Sequence, residues 1–396
     1  MNAQIEKLYN ISSSDKKWII GLMSGTSLDG LDIALCQITG AGIKTKVEVK
    51  HFKTFSYSNE VKDNILSVFA RKNISFEALT LLNPWLSRIH AEMILSALKE
   101  WNIKPSEIDV IASHGQTVFH SPFRLHKNKE FGNATFQIGD GDHIAVHTGI
   151  ITVSDFRQKH IAAGGEGAPL ALYGDCLLFN EIGVPTILLN IGGISNFTYL
   201  PGNEIFKGAL VTDTGPGNTL LDAVIKKFYP HLSFDLDGKI ASSGKINYEV
   251  LKLWKSLPFF SESIPKTTGP ELFEYSFLIT MSKEKLGVDL NPQDLLATLT
   301  LLTAETITDC IKREVPNWKE TRKFGSGGGC HNKLLMSHIQ RLLPGSNFLN
   351  PSILGIPGDA KEAVLFAVLA NETLSGGSTN YGDNPSVCMG KISFPS

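Results

Sequence analysis

Hydrophobic and polar positions change period several times along this chain, and each change predicts an element. After a polar leader, the apolar run Trp18–Met23 reads as a short buried strand. The turn Ser24–Gly30 follows, and Leu31–Ile38 returns as a second strand. Val47–Ser56 alternates Val, Phe and Thr with lysines and predicts a third. Helical spacing then takes over in Asn59–Ala70 and Ser75–Trp101, the latter with Leu79, Leu82, Leu86, Ile89 and Met93 three and four residues apart. Ile108–Ser113 predicts a buried strand that ends in the polar cluster His114-Gly115-Gln116-Thr117. A short helix at Asp142–Thr148 and a strand at Ile150–Ser154 complete this half.

From Pro185 the programme restarts. Thr186–Ile191 reads as a strand, Gly192–Asn196 as a turn, Phe197–Leu200 as a return strand, and Ala209–Thr212 as a third running into Asp213–Asn218 and a helix. After a polar and aromatic insertion, about 228–274, helices at Leu295–Lys312 and Asn332–Leu343 bracket the glycines of Gly325–Gly329. A last helix near Asp359–Leu374 places Ala363, Phe366, Ala367 and Ala370 on one face. The order strand, polar turn, strand, strand, helix thus occurs twice, about 170 residues apart, which predicts an internal duplication. Strands alternating with helical crossovers predict an α/β fold. The expected domains are residues 1–180 and 181–375, with the tail 376–396 packing back on the first and a ligand cleft between the two.

Composition narrows the function. The 396 residues suit two domains at ~150 residues each. With 37 basic and 39 acidic residues and no dense basic block, neither nucleic acid nor a membrane surface is an expected partner. The five cysteines form no C-x-x-C, so no disulfide framework or thiolate zinc site is expected. No apolar run approaches the roughly 18 residues of a membrane span, and the leader lacks a signal-peptide core. These readings predict a cytoplasmic protein. Glycine, at 36 residues, exceeds the average of about 7% and is clustered.

No P-loop, G-x-G-x-x-G, H-E-x-x-H or G-x-S-x-G motif is present, so phosphates, if bound, are held another way. Ser24–Gly30 joins two predicted strands with glycines and hydroxyls, a pattern whose backbone N–H groups can converge on an anion. Gly192–Asn196 is built alike, and Gly325–Gly329 can pass flat beneath an adenine or ribose. Each turn alone is an ordinary hairpin; three glycine clusters in corresponding places of two halves point to a ligand.

The motif blocks also carry a resemblance. Strand, Gly/Thr/Ser turn and strand in two halves resemble the actin/hexokinase/Hsp70 ATPase superfold, with two ribonuclease H-like domains. Within it the chain resembles the anhydro-N-acetylmuramic acid kinases, through the segments 21–32, Ser113–Thr117, Asp155–Arg157, Gly164–Leu170, Leu189–Asn196, Asp213–Asn218, Pro265–Gly269 and Gly327–Gly329. The resemblance implies a cytoplasmic, homodimeric kinase of cell-wall recycling. Such a kinase uses ATP and Mg²⁺ to open 1,6-anhydro-N-acetylmuramate with water and phosphorylate O6. It implies nucleotide binding by Gly25, Thr26, Ser27, Leu28, Asp29, Gly30, Leu31 and Asp32, by Gly192, Gly193 and Asn196, and by Gly327, Gly328, Gly329 and Asn332. It places the catalytic carboxylate on Asp213 and a sugar-contacting glutamate on Glu362. His114, Gly115, Gln116, Asp155 and Arg157 are further sugar-contact candidates, Asp155 and Arg157 either pairing or reaching substrate. Asp29, Asp32 and Asp213 are candidate metal ligands.

By residue type alone, Asp213 reads as an N-cap or turn-former and Glu362 as an acid complementing a helix dipole. A carboxylate that takes a proton from water is, equally, a natural general base. The resemblance departs at Gln158, Lys159 and His160, where the family has Arg, Arg and Asp, and at Pro270, where it has Arg. These departures fall where the sugar is expected to be read. A simple sugar kinase of the same fold and a nucleotide-regulated binding protein are the competing readings.

Overall fold

The computed structural model describes residues 2–25, 28–269, 272–376 and 379–396. Its strands, among the described residues, are β1 (Lys16–Ser24), β2 (Gly30–Thr39), β3 (Lys46–Ser56), β4 (Val110–Ser121), β5 (Ala134–Ile138) and β6 (Ile151–Ser154). They continue with β7 (Thr186–Ile191), β8 (Ile194–Leu200), β9 (Leu210–Pro216), β10 (Arg322–Ser326), β11 (Phe348–Leu349) and β12 (Lys391–Ser393). The chain divides into two compact units. Unit 1 comprises Met1–Asn180, Asn203–Gly208 and Leu354–Ser396; unit 2 comprises Glu181–Gly202 and Ala209–Ile353.

In unit 1 the sheet runs β12-β6-β4-β1-β2-β3, with β5 paired to β4. β1 is antiparallel to β2 and parallel to β4, β2 is antiparallel to β3, and β4 is parallel to β6. In unit 2 the order is β11-β10-β7-β8-β9. Here β7 is antiparallel to β8 and parallel to β10, β8 is antiparallel to β9, and β10 is parallel to β11. The five-strand order and senses are the same in both, a ribonuclease H-like arrangement present twice. The expected α/β fold of the actin/hexokinase/Hsp70 type is what the topology shows.

The unit 1 core lies between the sheet and its helices. Leu82, Leu86, Ile94 and Leu98 of the helix Phe76–Glu100 join Ile20, Leu22, Ile33 and Leu35 of the sheet in one buried cluster. Ser58 and Ser75 cap the two helices of this layer, their hydroxyls accepting from the N–H groups of Val61 and Ala78. In unit 2 the helix Pro292–Glu314 is the central packing element. It starts from the Asn291 cap with proline at its first position, and it buries five threonines besides its leucines. Four of those threonines return their hydroxyls to the helix's own carbonyls; Thr303 instead donates to the carbonyls of Pro216 and Gly217 at 3.1 and 3.3 Å.

Several elements differ from expectation, each for a physical reason. The polar leader contains a helix, Ala3–Ser13, started by the Asn2 side chain accepting from the Gln4 N–H. β4 continues through His114–Thr117 to Ser121, because β5 supplies a partner for its polar extension. β10 and β11 precede and follow the glycine cluster, which leaves β10 directly into a 3₁₀ turn at Gly328–His331.

The last helix, Lys361–Ser375, belongs to unit 1, whereas the expected boundary assigned it to the second half. The reason is steric: a Cβ on Gly21 of β1 would lie 1.9 Å from the Ala363 carbonyl oxygen. The helix backbone therefore rests on the bare backbone of β1. Its apolar surface is not one face but most of the circumference, since Ala363 to Glu372 are all buried. On its other side Gly174, in the helix Ala171–Phe179, leaves room for Leu365. Beyond it, β12 adds antiparallel to β6 at the sheet edge.

Gly21→Ala should therefore lower the unfolding free energy by about 1–3 kcal/mol or more. Chemical denaturation checks this; an unchanged midpoint would mean that the helix does not rest on β1.

Candidate active site

In unit 1, the first glycine turn is held from below by a buried polar chain. Ser24 Oγ, at the end of β1, donates to Gln116 Oε1 at 2.5 Å and lies 2.8 Å from the Tyr57 hydroxyl. Tyr57 in turn lies 2.7 Å from His90 Nε2, and Gln116 Nε2 donates to the Gly25 carbonyl. Burial pushes the His90 imidazole down to about 3, so this ring is neutral. Leu28 holds φ +57°, a left-handed backbone that a bulky residue seldom adopts, and its side chain is anchored in the unit 1 core. A local cost of about 1–3 kcal/mol is thus offset by burial of an apolar side chain. Asp29 accepts on its carbonyl from the Tyr57 N–H, which closes the turn into β2. Thr26 and Ser27 lie outside the described residues.

Beyond the turn, the structure gathers four of the expected side chains of this unit. Asp32 on β2 accepts from Thr54 Oγ1 at 2.5 Å, and burial raises its carboxyl above the ordinary range, against that hydrogen bond. Glu362 enters on the first turn of the last helix. Burial raises its carboxyl too; Lys361 and Arg157 oppose the rise and Asp32 adds to it. Burial pushes the Arg157 guanidinium down to about 10, Glu362 acting against the fall, and it stays charged at neutral pH. Arg157 Nε donates to His114 Nε2 at 2.9 Å and Nη1 to the Gly167 carbonyl at 2.6 Å. His114 therefore carries its proton on Nδ1, which points to the Gly115 carbonyl at 2.8 Å. Burial, first, and the adjacent guanidinium hold it well below the usual imidazole range.

Asp155 does not join them. It adopts left-handed backbone at φ +55°, and its carboxylate pairs with Lys391 on β12, at 2.5 Å. Asp155 and Arg157 do not pair; Arg157 Nε and Nη1 are instead engaged with His114 and the Gly167 carbonyl. Gln116 is likewise committed beneath the glycine turn rather than presented as a contact. Two of the departures from the family pattern have internal roles. Gln158 Nε2 donates to the Thr135 carbonyl, and His160 Nδ1 accepts from the Gly167 N–H at 2.9 Å. Pro270 lies outside the described residues.

In unit 2, the second glycine turn is held by backbone. The Gly192 carbonyl accepts from the Asn218 N–H, and the Gly193 carbonyl accepts from the Gly217 and Thr219 N–H groups. A Cβ on Gly217 would fall 2.2 Å from the Gly192 oxygen, and one on Gly327 2.6 Å from the Ile191 oxygen. The three blocks 189–196, 213–218 and 327–329 are thereby packed on one another. Asn196 of β8 sits opposite Asp213 of β9.

The half-buried Asp213 carboxylate accepts from the Thr268 N–H at 2.8 Å, while its own N–H donates to the Lys266 carbonyl. The segment 265–269 thus fixes the acid. Lys266 is buried, with its ammonium donating to the Phe259 carbonyl at 2.6 Å. No group of three or more potential metal-ligating side chains occurs among the described residues.

A cavity of about 400 Å³ opens beside the third glycine cluster, lined by Asn218, Gly328 and Asn332 and walled by Leu221, Phe234 and Leu236. Asn332 also caps the helix Lys333–Leu342, its side chain accepting from the Leu335 N–H. Sequence reasoning missed the wall, because Phe234 and Leu236 sit in the insertion 228–274, which has no periodicity to read.

Two ribonuclease H-like units, each with a glycine turn joining its first two strands, define a protein of the actin/hexokinase/Hsp70 fold class. The comparisons narrow the class. The family model for anhydro-N-acetylmuramic acid kinase matches residues 17–388, and the chain belongs to that family. The anhydro-N-acetylmuramic acid kinase of Pseudoalteromonas atlantica is 48% identical over the whole of both chains. That of Caldanaerobacter subterraneus subsp. tengcongensis is 38% identical, over 98% of this chain and all of the relative. Among solved structures, the activator of the 2-hydroxyisocaproyl-CoA dehydratase from Clostridium difficile with bound ADPNP matches at 12% identity and a TM-score of 0.41. That match covers 91% of this chain and 96% of the other.

The buried His90 gives a pH test. A ring neutral in the fold but protonated in the unfolded chain stabilises fully above pH ~6.5, and that contribution is lost as pH falls toward about 3. The stability difference between wild type and His90→Gln should shrink by up to about 1.4 kcal/mol per pH unit below that point. Urea titrations from pH 7 to 5 measure it, and a constant difference would contradict a neutral buried ring.

Proposed function

We propose that this chain is an ATP-dependent kinase that opens 1,6-anhydro-N-acetylmuramic acid with water and phosphorylates O6, giving N-acetylmuramate 6-phosphate. The observation that carries this reading is family membership across residues 17–388, at 48% identity to a relative over both full lengths. The geometry within each unit supports the roles.

Asp213 is the general base. Its carboxylate is oriented by the Thr268 N–H, as a base must be to take a proton from one direction. The water oxygen bonds to C1, the C1–O6 bond breaks, and O6 takes the γ-phosphoryl group while ADP leaves. Glu362, Arg157 and His114 form the sugar-reading cluster of unit 1, with Gly115 shaping the strand beside it. The segments Gly25–Asp32 and Gly192–Asn196 hold phosphates, and Gly327–Gly329 with Asn332 hold the adenosine. Mg²⁺ is commonly bound by one or two carboxylates together with substrate phosphates; Asp29, Asp32 and Asp213 are the acids of the right kind, and the ion would neutralise phosphate charge. As the family resemblance implies, the protein acts as a cytoplasmic homodimer.

Turnover with ATP, Mg²⁺ and the anhydro sugar in ¹⁸O-water should give a 6-phosphorylated product with one ¹⁸O at C1. Phosphorylation without ¹⁸O would instead establish a simple sugar kinase. Asp213→Asn should keep nucleotide affinity and lose about 10²–10⁴-fold in kcat; near-normal turnover would remove Asp213 as the base.

A further inference from the structure

The buried chain beneath the first glycine turn fixes the direction of every proton in it. Gln116 Nε2 lies 3.3 Å from the Gly25 carbonyl and 3.2 Å from the Thr117 carbonyl. Two carbonyls need a donor, so that end of the amide is the NH₂ group and Oε1 faces Ser24. A carbonyl oxygen only accepts, so the single Ser24 proton goes to Oε1, 2.5 Å away. The Ser24 oxygen then accepts from the Tyr57 hydroxyl at 2.8 Å, since two oxygens that close need a proton between them. With its own proton spent on Ser24, the Tyr57 oxygen accepts from His90 Nε2 at 2.7 Å. His90 is therefore the Nε2–H tautomer, and its bare Nδ1 is the ring nitrogen without a hydrogen-bond partner among the described residues. All four side chains are buried, and with a neutral His90 no other arrangement gives each contact one proton.

The chain ends on the turn itself. The Gly25 carbonyl accepts from Gln116 Nε2 and, at 3.4 Å, from the Leu28 N–H, which fills its capacity of two. An anion held by backbone N–H groups is repelled by a carbonyl oxygen turned toward it; this one is drawn inward and occupied. Tyr57 also holds the far end of the same turn, its own N–H donating to the Asp29 carbonyl at 3.0 Å. One residue thus ties both ends of the segment 25–29, the first through its hydroxyl and the second through its main chain. Burial raises the Tyr57 hydroxyl above its ordinary range, against the Ser24 hydrogen bond, and so keeps it a donor.

We infer that Tyr57 is a positioning residue for phosphate binding: its hydroxyl sets the one-way chain that keeps the Gly25 carbonyl drawn inward and the turn free to offer donors to an anion. This rests on the reading of the first glycine turn as a phosphate holder. It goes beyond that reading by assigning control of the turn to a buried side chain outside the glycine motif.

Two measurements on the full-length protein test it. Histidine-selective ¹⁵N NMR, with His90→Gln to assign the signal, should show Nε2 protonated and Nδ1 bare. A protonated Nδ1 would reverse the chain and overturn the inference. Calorimetric affinity for the ATP analogue AMP-PNP should fall about tenfold in Tyr57→Phe, the worth of one hydrogen bond. Ser24→Ala breaks the chain at its next member and should show the same loss, which keeps the test open if Tyr57→Phe does not fold. Ile65→Val trims the same core and lowers stability without touching the chain; it should bind AMP-PNP as wild type does. Unchanged affinity in the folded chain variants, or an equal loss in Ile65→Val, would leave Tyr57 a structural residue only and sink the assignment. No AMP-PNP binding by folded wild-type protein would refute the nucleotide reading itself, a result distinct from binding that ignores Tyr57.

Discussion

The contact on which most of unit 1 depends is the one between bare backbone at Gly21 and the carbonyl of Ala363. A central strand and a helix from the far end of the chain meet there without an intervening side chain, which only glycine permits. Three consequences follow from that approach. The last helix is buried on nearly all sides, its first turn brings Glu362 within electrostatic reach of Asp32 and Arg157, and the chain end is left to add β12 to the same sheet. The pairing of residue 21 with residue 363 also explains why a boundary drawn by counting along the chain fails: a unit is defined by where its core closes.

The two units share a strand order but stabilise their glycine turns by different means. In unit 1 the support is made of side chains, running from His90 through Tyr57 and Ser24 to Gln116. In unit 2 it is made of main chain, the carbonyls of Gly192 and Gly193 receiving N–H groups from residues 217–219. Such a relay rigidifies the turn it supports, and it ends at His90, whose buried Nδ1 has no hydrogen-bond partner among the described residues. Backbone pairing tolerates sequence change but demands glycine where neighbouring segments touch, as at Gly217, Gly327 and Gly329.

Much of this was legible in the residues because it rests on local rules. Strand and helix periods and glycine clustering each report on a few neighbours, and the duplicated pattern followed from repeating them. What was not legible depends on partners distant in sequence. The polar extension of β4 is a strand only because β5 lies alongside it. Asp155 looked like a partner for Arg157 two residues away, yet it pairs with Lys391 from the chain end. Phe234 and Leu236 belong to a segment without periodicity, and they acquire meaning only from the cavity they wall. The site blocks were found by resemblance; residue type alone would have read Asp213 as a turn-former.

The departures at residues 158–160 bear on what the sugar site can still do. Two of the three replacements face inward: Gln158 to the Thr135 carbonyl and His160 to the Gly167 N–H. A Cβ on Gly165 would fall 2.1 Å from the His160 ring, so the ring also fills the space under the glycine loop. Arg157 Nη1 bonds the Gly167 carbonyl, so histidine and arginine together grip both polar groups of one residue. Burial pushes His160 down to about 4, which keeps the ring neutral and its Nδ1 an acceptor at ordinary pH. An arginine or aspartate in that place would carry a charge beside the Arg157 guanidinium, repelled by it or attracted to it; histidine does neither. The substitution therefore changes how the glycine loop is held, while Glu362 and Arg157, the charged groups proposed to meet the sugar in this unit, are both retained.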